Sequence, residues 1–518
     1  MIRATAPQFS DDLRTYRSNG VWPDQVRDPV AIAAVSAPDR TALVDRVERL
    51  TYGALQRAIT ETAALLLEHG VEERGAVVLI GANDCRSAVA FHAIRRIGAV
   101  CVLVSDHAGP TDISLALEWT EPRLAMAPRS LIGLLSQRHQ SVRWLSSEHD
   151  ASVRHLEPFA GDRSGPNSPG VVVFTSGSTS RPKGVIHSTN TLRVAAGNYI
   201  DAAGLEPSDV FFLVSPLSSI TGVLQALVMA PLLAGCAVLE DEWDDGTTFD
   251  LLINERATFY GGPDVILRRL LDEADRRELS SVSLRAVSVG GALLDTLLLR
   301  RAEKMFGIRV MRAYGSSEAP FSTTTRHTAE LEDRVELDGQ PNRGVDVRIG
   351  SLGDKSECLI RGPHLFMGYL DAEDNSDAFE SGWFRTGDAG VLRGDQLKIV
   401  GRLKEIVIRN GIKISMPVVE QAALGLPFVH DAAAFGRLDQ DTGEHLVLAV
   451  RPIDGVRLDF GMLTGALLGT GLAKRSLPEE LIVWDVPFPR TVTEKLDRAA
   501  LAEESVGRPR LFADRLKS

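Results

Sequence analysis

The 518-residue chain has little of what marks exported, disulfide-framed or nucleic-acid-binding proteins. Its four cysteines, Cys85, Cys101, Cys236 and Cys358, form neither a C-x-x-C pair nor a spaced disulfide framework. Reduced, mostly buried thiols in a cytoplasmic protein are expected. The opening stretch MIRATAPQFSDDLRTYRSNG has no apolar core of the signal-peptide kind, so export is not expected. A formal net charge of -12 argues against a general binder of nucleic acid or anionic membrane, while leaving room for a local basic patch toward a phosphorylated ligand. One uncharged run, residues 222–239, approaches membrane length. It is broken by Gln225, Pro231 and Gly235, lacks flanking Lys or Arg, and runs into Glu240-Asp241-Glu242. It reads as a buried helix, a break and a short strand, so no membrane span is expected. There is no internal repeat and no low-complexity tract.

What is present is an ordinary globular composition, 44% hydrophobic and 24% charged, with length for two or three domains. The most informative stretch is VVVFTSGSTSRPKGVIHS, residues 171–188. Four apolar residues read as a short buried strand that leads into Thr175-Ser176-Gly177-Ser178-Thr179-Ser180. Hydroxyls and the N–H groups of a Gly-containing turn can ring an anion, and Lys183 adds a point charge, so a polyphosphate would fit. The P-loop is excluded: Gly184, not Ser or Thr, follows Lys183, and Pro182 removes an N–H. On composition alone a Ser/Gly/Thr-rich surface turn is the simpler reading, and the apolar runs on either side argue against it.

TSGSTSRPKGV resembles the phosphate-loop signature of the AMP-forming adenylating superfamily, which joins acyl-CoA synthetases, peptide-synthetase adenylation domains and luciferases. Four further motifs follow in that family's order. Ala313-Tyr314-Gly315-Ser316-Ser317-Glu318 resembles Tyr-Gly-x-Thr-Glu; the resemblance places Tyr314 by the adenine, Ser317 near the α-phosphate, and Glu318, with Thr175, on Mg²⁺, which prefers such oxygen ligands. WFRTGD resembles Trp-x-x-Thr-Gly-Asp and gives Asp388 the ribose hydroxyls. GRLKEIVIRNGIKIS resembles the hinge motif, with Arg402 at the ribose and Glu405 as pivot. PRTVTEKLDR resembles the C-terminal motif that carries the catalytic lysine, here Lys495. Taken singly, each reads as an ordinary turn or a solvated side chain; agreement of five in order and polarity favours the functional reading. Three positions depart from the family in the same way, with Ser180, Asn410 and Glu494 where glycine is usual. Asn410-Gly411, where a Gly pair would border the pantetheine arm, bears on the thiol acceptor.

The expected fold is α/β. Alternating helical and strand-type runs from about residue 40 predict βα units, for example a helix in LTYGALQRAITETAALLLEHG ending at Gly70, then a strand in AVVLI. Residues 1–401 are expected to form a large domain of two α/β halves plus a β-rich subdomain over about 335–401. Residues 402–518 are expected to form a small mobile α+β domain joined by the hinge at Glu405.

By the resemblance, the chain is an AMP-forming acid–thiol ligase: ATP and a carboxylic acid give acyl-AMP and pyrophosphate, then coenzyme A takes the acyl group. The phosphate-side residues are Thr175, Ser176, Gly177, Ser178, Thr179 and Lys183, and Lys495 offsets charge on the reacting phosphorus. Ser219, Gly222, Gly290, Gly291 and Ala292 are the expected acyl pocket. No carboxylate occurs between Phe211 and Leu239, so an α-amino acid, whose buried ammonium would lack a counter-charge, is disfavoured. An uncharged acyl group is expected, and GVIHSTNTL, YGSSEAP and FMGYL resemble medium-chain and cyclohexanecarboxylate-type CoA ligases of fatty acid metabolism. Two alternatives stand beside this: transfer to a carrier-protein phosphopantetheine, and a non-catalytic nucleotide-binding protein.

Overall fold

Buried parallel strands set the architecture of the larger part of the molecule. In the computed structural model, which describes residues 2–513 apart from 149–155, 176–181, 280, 291–293, 295, 411, 454 and 490–495, the chain separates into two compact units. The first comprises Met1–Arg348, Leu359–Thr386 and Leu392–Lys398; the second comprises Ile349–Cys358, Gly387–Val391 and Ile399–Ser518. The second unit thus takes in two short stretches of the β-rich region, where the sequence suggested one cut at 401/402.

The first sheet of the larger unit has six strands, in the order Arg143–Ser146, Leu124–Ala127, Ala76–Gly81, Val100–Ser105, Pro169–Phe174 and Gly184–Ser188. Neighbours are parallel except for the last pair, which is antiparallel. Residues 77–80 and 100–104 are buried at every position, the pattern of strands covered on both faces. The Tyr52–Glu68 helix begins where the Thr51 hydroxyl accepts the Ala54 N–H, and it stops at Gly70, whose φ of +77° ends the spiral.

The second sheet has a core of six parallel strands. In spatial order they are Arg309–Tyr314, Ala286–Gly290, Phe259–Gly262, Val210–Leu213, Cys236–Leu239 and Thr41–Val44. Antiparallel strands close both edges. The uncharged 222–239 run folds as buried helix, break and strand. One feature is not announced by its spacing: Val223–Met229 is a π-helix set between single α-turns at Ile220–Gly222 and Ala230–Leu232. Among the described residues, no helix is long and apolar enough to cross a membrane.

The smaller unit is α+β. Val429–Asp439 and Gly443–Pro452 form a long antiparallel hairpin, and Glu480–Val483 adds in parallel to the second arm. The Met416–Leu424 helix and Trp484 pack on this sheet in a core that includes Val419, Val447 and Leu448.

Candidate active site

The strands Pro169–Phe174 and Gly184–Ser188 form a hairpin with Phe174 opposite Gly184, which makes the hydroxyl-rich loop the hairpin's connection. Two hydrogen bonds close its neck. The Thr175 N–H donates to the Lys183 carbonyl at 2.9 Å, and the Lys183 N–H donates to the Thr175 hydroxyl at 3.2 Å. Ser176, Gly177, Ser178, Thr179 and Ser180 lie outside the described residues. Beyond the neck, the Lys183 ammonium stands 3.3 Å from the Asp374 carboxylate and 4.6 Å from the centre of the Tyr369 ring.

Tyr369 links the loop to the next motif. Its segment runs beside the Gly184–Ser188 strand: Met367 N–H donates to the Ile186 carbonyl at 2.7 Å, and Leu370 N–H to the Gly184 carbonyl at 2.8 Å. The Tyr369 hydroxyl then donates to the Glu318 carboxylate at 2.8 Å. Burial, and next the charge of Glu318, hold the phenol well above its ordinary value, so it stays a donor. One aromatic side chain therefore touches both Lys183 and Glu318.

The turn that carries Glu318 is tightly built. The Ser316 hydroxyl accepts from the N–H groups of Glu318 and Ala319 at 3.2 and 3.3 Å. A Cβ at Gly315 would stand 2.6 Å from the Phe321 nitrogen and 2.7 Å from the Ala319 oxygen, both backbone atoms, so only glycine fits. The Ser317 carbonyl accepts from His187 Nε2 at 2.7 Å, and because a carbonyl can only accept, Nε2 carries the proton. His187 is fully buried, and desolvation brings its pKa down to about 4, leaving the ring neutral near pH 7.

Parallel strands of the second sheet end at a cavity of about 200 Å³, where open α/β sheets place ligands. Tyr314, Gly315, Ser317 and Gly290 line it. Gly290 lies opposite Ala313 in the next strand, and a Cβ there would stand 2.3 Å from the Ala313 oxygen. Ile220 and Thr221 form the wall rather than Ser219 and Gly222. Ser219 instead starts the helical turn, its hydroxyl accepting the Gly222 N–H at 3.1 Å, while Gly222 lies against the Pro216 carbonyl. Gly291 and Ala292 lie outside the described residues. The inner wall is made by buried Tyr199, Gln225 and Ser288.

In the smaller unit, Asp388 and Arg402 are paired, with Arg402 Nε 3.4 Å from the carboxylate. Gly387, at φ +70°, donates its N–H to Glu357 at 3.3 Å, which shapes the turn before Asp388. Glu405 ends a single 3₁₀ turn, Leu403–Glu405. Asn410 takes φ +50° and donates its N–H to the Thr442 carbonyl at 2.9 Å, a left-handed backbone that asparagine tolerates better than most residues. Gly411, Glu494 and Lys495 lie outside the described residues.

The AMP-binding enzyme family matches this chain over residues 30–370. The chain belongs to that family. It is 28% identical to an indoleacetate–CoA ligase of Aromatoleum aromaticum, over 89% of this chain and 94% of the relative. It is 27% identical to the medium-chain fatty-acid–CoA ligase of Escherichia coli, over 96% and 94% respectively. In fold it is similar to o-succinylbenzoate CoA synthetase (MenE) from Bacillus subtilis in complex with its acyl-adenylate intermediate. The TM-score is 0.80 at 22% identity, covering 92% of this chain and 98% of that one.

Four side chains of this AMP-binding enzyme's site were not singled out as site residues from sequence: Tyr369, Tyr199, Gln225 and Ser288. Gln225 stands out in sequence only as a break in the uncharged 222–239 run, and Tyr199 and Ser288 lie in the Thr189–Ala203 helix and the Ala286–Gly290 strand, where nothing local marks them as lining a cavity. Tyr369 had only its place in FMGYL, next to a glycine whose φ of +109° turns the chain before it.

Proposed function

We propose that this AMP-binding enzyme activates a carboxylic acid with ATP to acyl-AMP and then transfers the acyl group to coenzyme A. The observation that carries the reading is the contact of Tyr369 with both Lys183 and Glu318, the latter on a turn whose neighbouring residues Tyr314, Gly315 and Ser317 line the cavity. In the first step an oxygen of the substrate carboxylate attacks the α-phosphorus, and the bond to the β-phosphate oxygen breaks to release pyrophosphate. The obstacle is repulsion between anions. Lys183 neutralises charge on the leaving phosphates, Tyr314 and Ser317 border the nucleotide, and Asp388 with Arg402 binds the ribose. Lys495 contributes the second cation at the reacting centre.

The donors at Glu318 and Thr175 are carboxylate and hydroxyl oxygens, a set that suits Mg²⁺ and not a softer metal. Glu318 and Thr175 would hold the ion, which supplies charge neutralisation of the phosphates when bound. Tyr369 orients the Glu318 carboxylate by donating to one of its oxygens.

In the second step the thiol sulfur, its proton passing to solvent, bonds to the acyl carbonyl carbon, and the carbon–oxygen bond of the anhydride breaks so that AMP leaves with that electron pair. The C-terminal segment that follows the hinge motif, proposed as a mobile domain over residues 402–518, turns about Glu405 between the steps. No carboxylate lines the cavity among the described residues, which supports an uncharged acyl group over an α-amino acid. Relatives named as CoA ligases favour free coenzyme A over a carrier-bound thiol. The test is a panel of acids offered with ATP, Mg²⁺ and coenzyme A, read as both pyrophosphate and thioester. Pyrophosphate together with thioester is expected; AMP release without thioester, rescued by a holo carrier protein, would overturn the choice of acceptor.

A further inference from the structure

The inner end of the cavity is polar in a way that an alkyl chain would not satisfy. Gln225, on the π-helix, is fully buried, and its Nε2 donates to the Gly261 carbonyl at 3.1 Å. A carbonyl can only accept, so this bond decides the orientation of the amide: the nitrogen faces Gly261 and Oε1 is left over. Oε1 is buried and has no hydrogen-bond partner. Ser288 is 2% exposed, and its hydroxyl lies within hydrogen-bonding reach of the Tyr199 hydroxyl, so Gln225 Oε1 is the acceptor left over at this end of the cavity. Both residues line the same cavity, opposite in burial to the open turn at Tyr314–Ser317. Gly261 makes room for this arrangement, since a Cβ there would stand 2.2 Å from Gln225 Nε2 and 2.6 Å from the Tyr199 hydroxyl.

A buried acceptor left unpaired disfavours whatever ligand strands it, and a neutral donor relieves it. A cationic donor would meet no counter-charge on the described walls. We infer that the acid this enzyme takes carries a neutral hydrogen-bond donor, a hydroxyl or an amide-type N–H, in the part of its tail that reaches Gln225 and Ser288. The inference rests on the acid-activating reading above and narrows it away from plain alkyl acids.

The experiment compares matched acids by pyrophosphate release. Hydroxybenzoic acids are set against methylbenzoic acids at each ring position, and hydroxyl-terminated against methyl-terminated straight-chain acids. The best hydroxylated acid should exceed its methyl partner in kcat/KM by about tenfold or more. In Gln225→Met the preference should collapse toward unity, with the hydroxylated acid slowed and the methyl partner gaining. If that variant fails to fold by thermal unfolding, Ser288→Ala replaces it, and the wild-type comparison decides by itself. Equal or better use of the methyl partners at every position overturns the inference alone, since a trapped water would then satisfy Gln225. Absence of pyrophosphate release with every acid overturns the acid-activating reading and the inference together.

Discussion

At the scale of single residues, the candidate site is a set of charges whose positions depend on neutral neighbours. Tyr369 is the clearest case, a buried donor that holds Glu318 while its ring faces the Lys183 ammonium. Tyr369→Phe keeps the ring and removes the donor; kcat/KM for pyrophosphate release should fall about tenfold, with a higher Mg²⁺ concentration needed for half-maximal rate. If Lys495 has the role proposed for it, Lys495→Ala should nearly abolish adenylation and leave ATP affinity almost unchanged, since a cation that acts on the charge developing at the reacting phosphorus contributes little to ground-state binding. Pyrophosphate release and ATP titration of the same variant separate these two quantities; a full adenylation rate would refute the role. His187 gives a prediction about pH. Burial lowers its pKa to about 4 in the folded chain from the ordinary 6.5. Between those values the unfolded chain binds a proton that the folded chain does not. Its stabilising contribution is therefore complete above about pH 6.5 and declines as pH falls toward 4, by ~3 kcal/mol. His364, brought down to about 3 by burial, acts in the same direction. Urea midpoints near pH 7 and near pH 5 should show the loss, and His187→Gln should make it smaller.

At the scale of elements, close backbone approaches decide where the cavity walls stand. The helical turn Ile220–Gly222 begins directly on the 215–219 turn, and the π-helix that follows places one extra residue in its turn, carrying Gln225 to the inner wall. A methyl group at Gly222 would stand 2.2 Å from the Pro216 oxygen and 2.7 Å from the Leu217 Cα. Backbone atoms cannot swing aside as a side chain can. Gly222→Ala should thus cost roughly 1–3 kcal/mol in stability and raise KM for the acid by displacing Ile220 and Thr221, both measurable on one preparation by denaturant unfolding and initial rates. A smaller change would mean that the 215–219 turn yields.

At the scale of the whole molecule, two compact units carry different parts of the proposed chemistry. Thr175, Lys183, Tyr314 and Glu318 belong to the first, and Asp388 and Arg402 to the second. The proposed turn about Glu405 predicts that Glu405→Pro, which restricts the backbone at the pivot, slows thioester formation by about tenfold or more while pyrophosphate release continues. Equal slowing of both half-reactions would remove Glu405 from that role. Much of this molecule was determined locally and was therefore legible in sequence. Runs of consecutive apolar residues specified parallel strands, Gly70 ended its helix, and five short motifs in order carried the family, because each signal lies within one stretch of chain. The tertiary structure decided what depends on distant stretches meeting. Tyr369 acquires a role only when its segment pairs with the strand at Gly184–Ser188, and Gln225 only when a π-helix aims its amide at Gly261. The uncharged run around Gln225 announces burial but not which carbonyl its amide meets, and nothing local marks Tyr369; the partner each group finds is a property of the fold.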